Sequence, residues 1–193
     1  GDFGHHNLLG NSWLPYAWAA QQAWSGEETP ARFDRAFSRL VFGDASGESA
    51  RFYRELGAVH DAGFAIFNGS ALQFLFFDDL DRAYFVRGAK PAALRKSRAR
   101  LERTRKRLAG AKAHFEGDPI AHGELLYAAD ASIHALRKAL VGLDYVGWRE
   151  RPAKLDAKAR RRLASECTQL AKEERALLAR LRAGDGAAYE LWV

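Results

Sequence analysis

The sequence predicts an all-α protein, because apolar residues recur at three- and four-residue spacing along most of its 193 residues. The clearest stripe lies in a basic segment, where Leu94, Leu101, Leu108 and Ala111 are spaced for one face of a helix. The composition, 48% hydrophobic and 28% charged, is sufficient for a packed helical core. No run of about 18 uncharged apolar residues occurs, so we expect no membrane-spanning segment.

The start of the chain differs from the rest, since it holds two adjacent histidines and three of the five tryptophans. Ser12 is expected to cap a helix with Pro15 in its first turn, where a missing N–H costs nothing. Trp13, Tyr16 and Trp24 recur at helical spacing and form a stripe that we expect to be buried. A polar loop that leads into such a helix is typical of a βα unit. In a (β/α)8 barrel these loops line the active-site face.

Two shorter helices are predicted next. Thr29 is expected to cap the first of them, with Pro30 at its first position, and Gly43 is expected to end it. The second is expected to begin at Ser46 or Ser49. The predicted inward residues are Phe33, Ala36, Phe37, Leu40 and Val41 in the first helix, and Phe52, Tyr53, Leu56 and Val59 in the second.

Three long helices are predicted after the linker at 88–91, and their apolar spacing indicates an antiparallel three-helix bundle. Tyr145 and Trp148 are expected in the connection between the last two helices. The expected bounds are about 91–115, 120–143 and 154–182.

The formal charge is +6, and basic residues crowd the segment 95–107. Such clusters attract nucleic acid in some proteins. Here the basic residues flank the leucine stripe, and no aromatic residues alternate with them as a single-strand binding surface would require. We therefore interpret the segment as a solvated basic face and expect no nucleic-acid partner.

The sequence indicates no metal site and no cofactor. His5 and His6 are adjacent, so they cannot easily share one ion, and no third ligand is evident. The acidic cluster at 78–81 lacks the ligand spacing and the glycine of an EF-hand loop. The single Cys167 excludes an internal disulfide.

The run Gly1-Asp2-x-Gly4-His5, followed by Tyr16-Ala-Trp-Ala-Ala-Gln-Gln-Ala-Trp24, resembles the final barrel strand, loop and helix of a subgroup of bacterial glycoside hydrolases. These are the family 20 enzymes, the β-N-acetylhexosaminidases, whose strand there reads Thr-Asp-Trp-Gly-Asp-x-Gly-His. Tyr189-Glu-Leu-Trp-Val193 is similar to the family's closing Leu-Trp segment, without the Arg-Asn-Arg-Pro stretch that normally follows it. The middle of the chain matches only as helical sequence.

The resemblance implies that the chain is an internal piece of a longer enzyme whose barrel lies on its N-terminal side. It implies that Asp2 binds substrate, with its carboxylate accepting hydrogen bonds from the far hydroxyls of a terminal amino sugar. It also implies that His5 orients this loop or contacts the sugar. Family members use the substrate's own acetamido oxygen as nucleophile. Their catalytic Asp-Glu pair lies on an earlier strand, so no catalytic residue and no activity is expected in this chain alone.

These observations divide the chain into three predicted parts: the last loop and helix of a truncated (β/α)8 barrel at 1–29, short connecting helices at 30–88, and the helical bundle at 89–193. The function that the resemblance implies is the C-terminal part of an exo-acting β-N-acetylhexosaminidase. The alternative is a stand-alone basic helical-bundle module that binds a partner. The opening loop distinguishes the two, because an interaction helix has no need of Gly-Asp-x-Gly-His before it.

Overall fold

A computed structural model describes residues 9–26, 28–58, 76, 79–80, 89–151 and 156–182. These residues form six α-helices and one 3₁₀ turn and contain no strand, which confirms the predicted all-α class for this part of the chain. None of the helices in these ranges is long and apolar enough to cross a membrane. The helices are α1 (Leu9–Trp24), α2 (Pro30–Phe42), α3 (Glu48–Gly57), α4 (Pro91–Ala109), α5 (Pro119–Glu150) and α6 (Ala157–Arg182), with the 3₁₀ turn at Lys112–Phe115.

The described residues belong to two compact units, each assembled from segments that are not consecutive in the chain. The first unit combines described residues within Gly1–Gly57, Thr104–Ala129 and Arg180–Val193. The second combines described residues within Ala58–Arg103 and Asp130–Ala179. These units are groups of residues that contact one another within the fold. The functional division at residues 29 and 88 is a separate matter and stays a prediction.

Aromatic side chains form the core of the first unit. The ring of Phe42 lies 5.0 Å from that of Phe115, 5.6 Å from that of Phe37 and 6.1 Å from that of Tyr53, measured between centroids. All four side chains are buried. Full burial of one such ring contributes about 1.5–3 kcal/mol, so this cluster is the main source of cohesion between α2, α3 and the 3₁₀ turn.

The bounds of α2 follow the sequence prediction. Thr29 occupies the N-cap position and Pro30 the first helical position, although the Thr29 side chain makes no capping hydrogen bond. Gly43 ends the helix with φ of 74°, a left-handed conformation that glycine adopts without strain. Its N–H donates to the Arg39 carbonyl, 3.2 Å away.

Two predictions for α1 and α2 are wrong. The first helix begins at Leu9, so Ser12 lies inside it and does not cap it, and Pro15 lies in its interior. The helix continues through Pro15 at the cost of the hydrogen bond to the residue 11 carbonyl. On α2, Leu40 is 84% exposed and Ala36 is exposed as well. The buried side of α2 instead runs from Phe33 through Phe37 to Phe42.

In the second unit α5 and α6 pack antiparallel. His134 of α5 lies beside Glu173 of α6, while Asp144, later in α5, lies beside Arg162, earlier in α6. The apolar contact between them comes from Val141, Leu163 and Leu170, with Leu80, Tyr145, Trp148 and Cys167 packed around these three.

Two of the predicted bounds of the long helices are wrong. Helix α4, the first of the three long helices, ends at Ala109 and not near residue 115. The chain then forms the 3₁₀ turn that places Phe115 in the aromatic core. Helix α5, the second long helix, continues to Glu150, so Tyr145 and Trp148 are helical and not part of a connection. Their rings pack with centroids 5.4 Å apart, as residues three apart on one helix can.

At Gly117 the neighbouring backbone leaves no room for a side chain. Its N–H donates to the Phe42 carbonyl at 3.0 Å. A Cβ there would lie 2.6 Å from the Val41 carbonyl oxygen and 2.9 Å from the Phe42 carbonyl carbon, both of which are backbone atoms. The predicted effect of Gly117→Ala is a loss of about 1–3 kcal/mol of unfolding free energy, the range for overpacking, measured by urea denaturation.

Gly57→Ala is the matched control, since no atom lies within 4 Å of the Cβ that it would add at the end of α3. We expect its unfolding free energy to stay within about 0.5 kcal/mol of the wild type. Equal stability of the two variants would contradict the close backbone approach.

Candidate functional site

The two residues that the sequence assigns to sugar binding, Asp2 and His5, lie outside the described residues. The described element that follows them in the chain is α1. The structure therefore bears on the predicted site through α1, and in particular through which of its aromatic side chains are buried and which are exposed.

The inner side of α1 is fixed to the first unit. Leu14 is buried in the aromatic core. The Trp18 ring packs edge-on against Phe33 with centroids 5.0 Å apart, and the Arg54 guanidinium lies 5.6 Å from the Trp18 ring centroid. Arg54 is held in turn by both carboxylate oxygens of Asp34, at 2.8–3.1 Å. These contacts define the orientation of α1 within the unit.

The outer side of α1 carries the stripe that the sequence predicts to be buried, and in this chain it is not. Trp13 is 39% exposed, Tyr16 44% and Trp24 89%. The difference arises because α1 has two apolar sides, and the core of the first unit takes the side with Leu14 and Trp18. Exposed aromatic residues at helical spacing on one face mark a surface that another element covers in many proteins.

A polar cluster at the start of α3 resembles a Ser-His-Asp arrangement in composition. Asp44 Oδ1 lies 2.5 Å from Ser46 Oγ and 3.2 Å from His114 Nδ1, and the same Nδ1 lies 3.3 Å from Ser46 Oγ. In a nucleophilic triad the histidine uses its two nitrogens separately, one toward serine and one toward the acid. Here the serine hydroxyl donates directly to the Asp44 carboxylate, so its proton is not directed to the histidine as a general base.

Asp44 instead acts as a structural hub. Its Oδ2 accepts the Ser49 backbone N–H at 2.9 Å, and its Oδ1 accepts the Ser46 backbone N–H at 2.9 Å. Burial by itself raises the pKa of Asp44, but these hydrogen bonds and those from Ser46 and His114 outweigh it and hold the pKa well below its usual range. Asp44 therefore remains a carboxylate that organises the turn between α2 and α3.

The other two described histidines also have structural surroundings. Nε2 of His122 lies 2.8 Å from the Leu108 carbonyl oxygen, so it donates to the C-terminal end of α4. His134 is 2% exposed, with Nδ1 3.5 Å from Glu173 Oε2 and Nε2 3.6 Å from Glu174 Oε2. Its ring also packs against Phe76, with centroids 5.5 Å apart.

The acids around His134 are engaged in ion pairs. Glu173 accepts from Arg137 and from Gln169, and Glu174 lies 3.5 Å from Lys138 Nζ. Burial raises the pKa of Glu173, but the hydrogen bonds from Gln169 and Arg137 outweigh it and lower the pKa. A general acid needs a raised pKa at neutral pH. Glu173 therefore does not have the pKa of a general acid, and the ion pairs of Glu173 and Glu174 stabilise the contact of α5 with α6.

No three potential ligands of the His, Cys, Asp or Glu types converge on a metal position within the described ranges. The two glutamates beside His134 face opposite ring nitrogens, so they cannot share one ion with it. Burial raises the pKa of the Cys167 thiol, and the negative charge of the neighbouring Glu166 raises it further. A thiol with a raised pKa is a poor nucleophile.

Comparison with known proteins gives no match: no protein-family model, no curated protein and no solved structure matches this chain.

Sequence reasoning missed the Asp44–Ser46–His114 cluster and the surroundings of His134. The first has a local signal, since an Asp followed two residues later by Ser after a helix-ending glycine indicates a side-chain-stabilised turn. His114 and the partners of His134 come from distant positions, and no spacing rule relates them.

Asp44→Asn is predicted to lower the unfolding free energy by about 1–3 kcal/mol at pH 7, because several buried hydrogen bonds lose their charged acceptor. The folded-state pKa of Asp44 lies below its unfolded value of about 3.9, so its contribution is present above that pH and is lost as the pH falls further. The difference between wild type and variant should therefore shrink between about pH 5 and pH 2, as measured by urea denaturation at each pH.

Asp34→Asn is the control, because it removes a more exposed ion pair with Arg54. It should cost less than about 1 kcal/mol at pH 7. An Asp44→Asn variant as stable as wild type at neutral pH would contradict the role of Asp44 as a hub.

Proposed function

We propose that this chain is the C-terminal part of a bacterial β-N-acetylhexosaminidase of glycoside hydrolase family 20, an exo-acting enzyme that removes terminal N-acetylhexosamine. The observation that carries the proposal is the opening run, Gly1-Asp2-x-Gly4-His5, directly before an aromatic helix. An all-α fold is compatible with many functions and adds no support by itself.

Asp2 is the proposed sugar-binding residue. Its carboxylate would accept hydrogen bonds from two hydroxyls of the terminal sugar, on the side away from the scissile bond. Such hydrogen bonds to a charged acceptor contribute about 1.5–3 kcal/mol each. His5, three residues later, would orient the loop that carries Asp2. Together they provide one wall of a pocket for a terminal amino sugar.

The chemistry itself belongs to residues that this chain does not hold. In the proposed reaction the acetamido oxygen of the substrate attacks the anomeric carbon while a protonated Glu donates its proton to the leaving oxygen. A neighbouring Asp orients the acetamido group, and both acids come from an earlier barrel strand. The chain therefore contributes substrate binding and has no hydrolase activity alone.

The exposed side of α1 supports the proposal. In a (β/α)8 barrel the helix after the last strand packs its apolar face on the barrel. Trp13, Tyr16 and Trp24 form an aromatic stripe of the kind that such packing would cover. We propose that this side of α1 contacts the barrel, and that the three long helices form an antiparallel bundle appended to the catalytic domain.

A second candidate is a stand-alone interaction module. It is favoured by the basic side chains of α4, since Arg95, Lys96, Arg100 and Arg103 are all exposed. An acidic partner would bind such a face in a salt-dependent way. This candidate leaves the opening run and the exposed stripe on α1 without a role, so it ranks second.

In the complete gene product, Asp2→Asn is predicted to lower kcat/KM for p-nitrophenyl N-acetylglucosaminide about 100-fold, which corresponds to about 2.7 kcal/mol of lost transition-state binding. The amide keeps the size of the side chain but loses the charge that strengthens both hydrogen bonds. Steady-state kinetics measure the change. Asp156→Asn is the control, because Asp156 caps α6 and should leave kcat/KM within about twofold. Unchanged hydrolysis by Asp2→Asn would remove the basis of the proposal.

Trp24→Gln tests whether another domain covers α1. In the 193-residue chain Trp24 is 89% exposed, so the variant should change the unfolding free energy by less than about 0.5 kcal/mol. In the complete gene product, burial of this ring against the barrel should make the same change cost about 2 kcal/mol or more, seen as a lower Tm by calorimetry.

Leu40→Gln is the matched control for this comparison. Leu40 is 84% exposed on α2, so its replacement should be neutral in both proteins. If Trp24→Gln is also neutral in the complete gene product, α1 does not dock on the barrel through this face.

A further inference from the structure

The outward face of α6 carries basic side chains and hydroxyl groups, and the acids of this helix lie elsewhere on it. All three glutamates of α6 are half-buried, and each lies within ion-pair distance of an arginine or a lysine: Glu166, Glu173 and Glu174. Opposite the buried leucines of the helix, exposed residues recur every three or four positions and form one row: Lys158, Arg161, Ser165, Thr168, Lys172 and Arg175. We call these six residues the α6 row. It extends over about 26 Å, at a rise of about 1.5 Å per residue.

Neighbouring acids do not balance the cations of the α6 row. Among the residues that the structure describes, none places a carboxylate within ion-pair distance of any of its four cations. Arg162, one position after Arg161, shows the contrast, because it lies 3.6 Å from Asp144 and 3.8 Å from Glu166. The row is therefore a stretch of uncompensated positive charge.

The positions of these charges are unfavourable for the helix itself. The first turn of α6 contains no acid, and four of its first six residues are basic. The N-terminal end of a helix carries partial positive charge, so cations there are destabilising. Like charges three positions apart also repel, as in the pairs Lys158–Arg161 and Lys172–Arg175. Surfaces that break local rules in this way are expected at functional sites, and a bound polyanion relieves both repulsions.

The hydroxyl groups between the two cation pairs distinguish among polyanions. The Thr168 hydroxyl donates its proton to the Ala164 carbonyl at 2.9 Å, so its oxygen can only accept from a ligand. The backbone of duplex DNA offers oxygens and no hydroxyl donor, whereas a polysaccharide carries hydroxyl donors along its length. Single-stranded RNA has a hydroxyl donor but is bound through stacking, and α6 contains no aromatic residue. The row therefore suits a charged polysaccharide better than a nucleic acid.

We propose that the α6 row binds a linear polysaccharide whose repeating units carry carboxylate or sulfate groups. The cation pair at each end of the row contacts anionic groups, and the centres of the two pairs lie about 21 Å apart along the helix axis. Ser165 and Thr168 accept hydrogen bonds from sugar hydroxyls between these pairs. In the proposed hexosaminidase this surface would bind anionic parts of the substrate polymer. That role rests on the proposed function, whereas the binding itself does not.

The test measures binding of the 193-residue chain to a fluorescein-labelled chondroitin sulfate oligosaccharide by fluorescence anisotropy at low salt, where exposed charges are least screened. Replacement of the four row cations by glutamine, K158Q/R161Q/K172Q/R175Q, should weaken binding at least about tenfold, which is a modest loss for each exposed ion contact. A chitin oligosaccharide of the same length carries N-acetylhexosamine without the charge. It should bind the wild-type chain at least about tenfold more weakly than chondroitin sulfate does.

The matched control replaces four exposed cations of α4, R95Q/K96Q/R100Q/R103Q, and lowers the net charge by the same amount. The exposed side of α4 also holds Glu102, and neither Ser97 nor Thr104, the hydroxyl residues of this helix, is exposed. We expect this variant to bind the glycan within about threefold of the wild type, because its charges act only at long range. Circular dichroism checks that both variants keep their helix content.

A second variant, S165A/T168V, removes both hydroxyl groups of the α6 row and keeps every charge. It should weaken glycan binding about fivefold, through the loss of two neutral hydrogen bonds, and leave the affinity for a DNA duplex unchanged. The proposal is overturned if this variant leaves the glycan affinity unchanged or lowers both affinities equally. It is also overturned if the α4 variant weakens glycan binding as much as the α6 variant does.

These measurements require no hydrolysis, so the two proposals can fail separately. Absence of glycan binding by the 193-residue chain would overturn the binding surface on α6 and leave the proposed function standing. A complete gene product that binds the glycan through α6 but hydrolyses no N-acetylhexosaminide would support the binding surface and contradict the proposed function.

Discussion

The contact of Phe42 with Phe115 is the constraint on which the first unit depends. Their ring centroids lie 5.0 Å apart, and the Gly117 N–H donates to the Phe42 carbonyl at 3.0 Å. This pairing joins the end of α2 to the 3₁₀ turn, so the residues next to each partner are also brought together. Asp44 and His114 meet for this reason, and their hydrogen bonds then fix the turn before α3. The aromatic contact and the buried carboxylate support each other.

The same packing gives α1 its two sides. Trp18 and Leu14 face the aromatic core, and this leaves Trp13, Tyr16 and Trp24 outward. A helix that is fixed on one side and aromatic on the other is suited to joining two bodies. In the proposed enzyme it would link the barrel that holds the catalytic acids to the helical appendage, and it would immediately follow the loop that carries Asp2.

Local rules predicted the helices well wherever the signal was local. Thr29, Pro30 and Gly43 mark the ends of α2, and the spacing of Leu94, Leu101 and Leu108 gives a stripe that is fully buried. The errors occur where tertiary contacts decide. Helix α4 ends before its predicted bound because the 3₁₀ turn places Phe115 in the core. Helix α5 continues past its predicted bound, and Tyr145 and Trp148 pack against each other there. The buried side of α1 was predicted on the wrong face because two sides of this helix are apolar. For the proposed sugar site the sequence offers a motif, and its geometry lies outside the described residues.

Sequencing the DNA that flanks this coding region would test whether the chain belongs to a hexosaminidase. We expect one open reading frame that runs upstream through a (β/α)8 barrel, contains an Asp-Glu pair at the end of an earlier strand, and reaches Gly1 through Thr-Asp-Trp. A start codon immediately before Gly1 and a stop codon after Val193 would contradict it. That result would place the interaction module first.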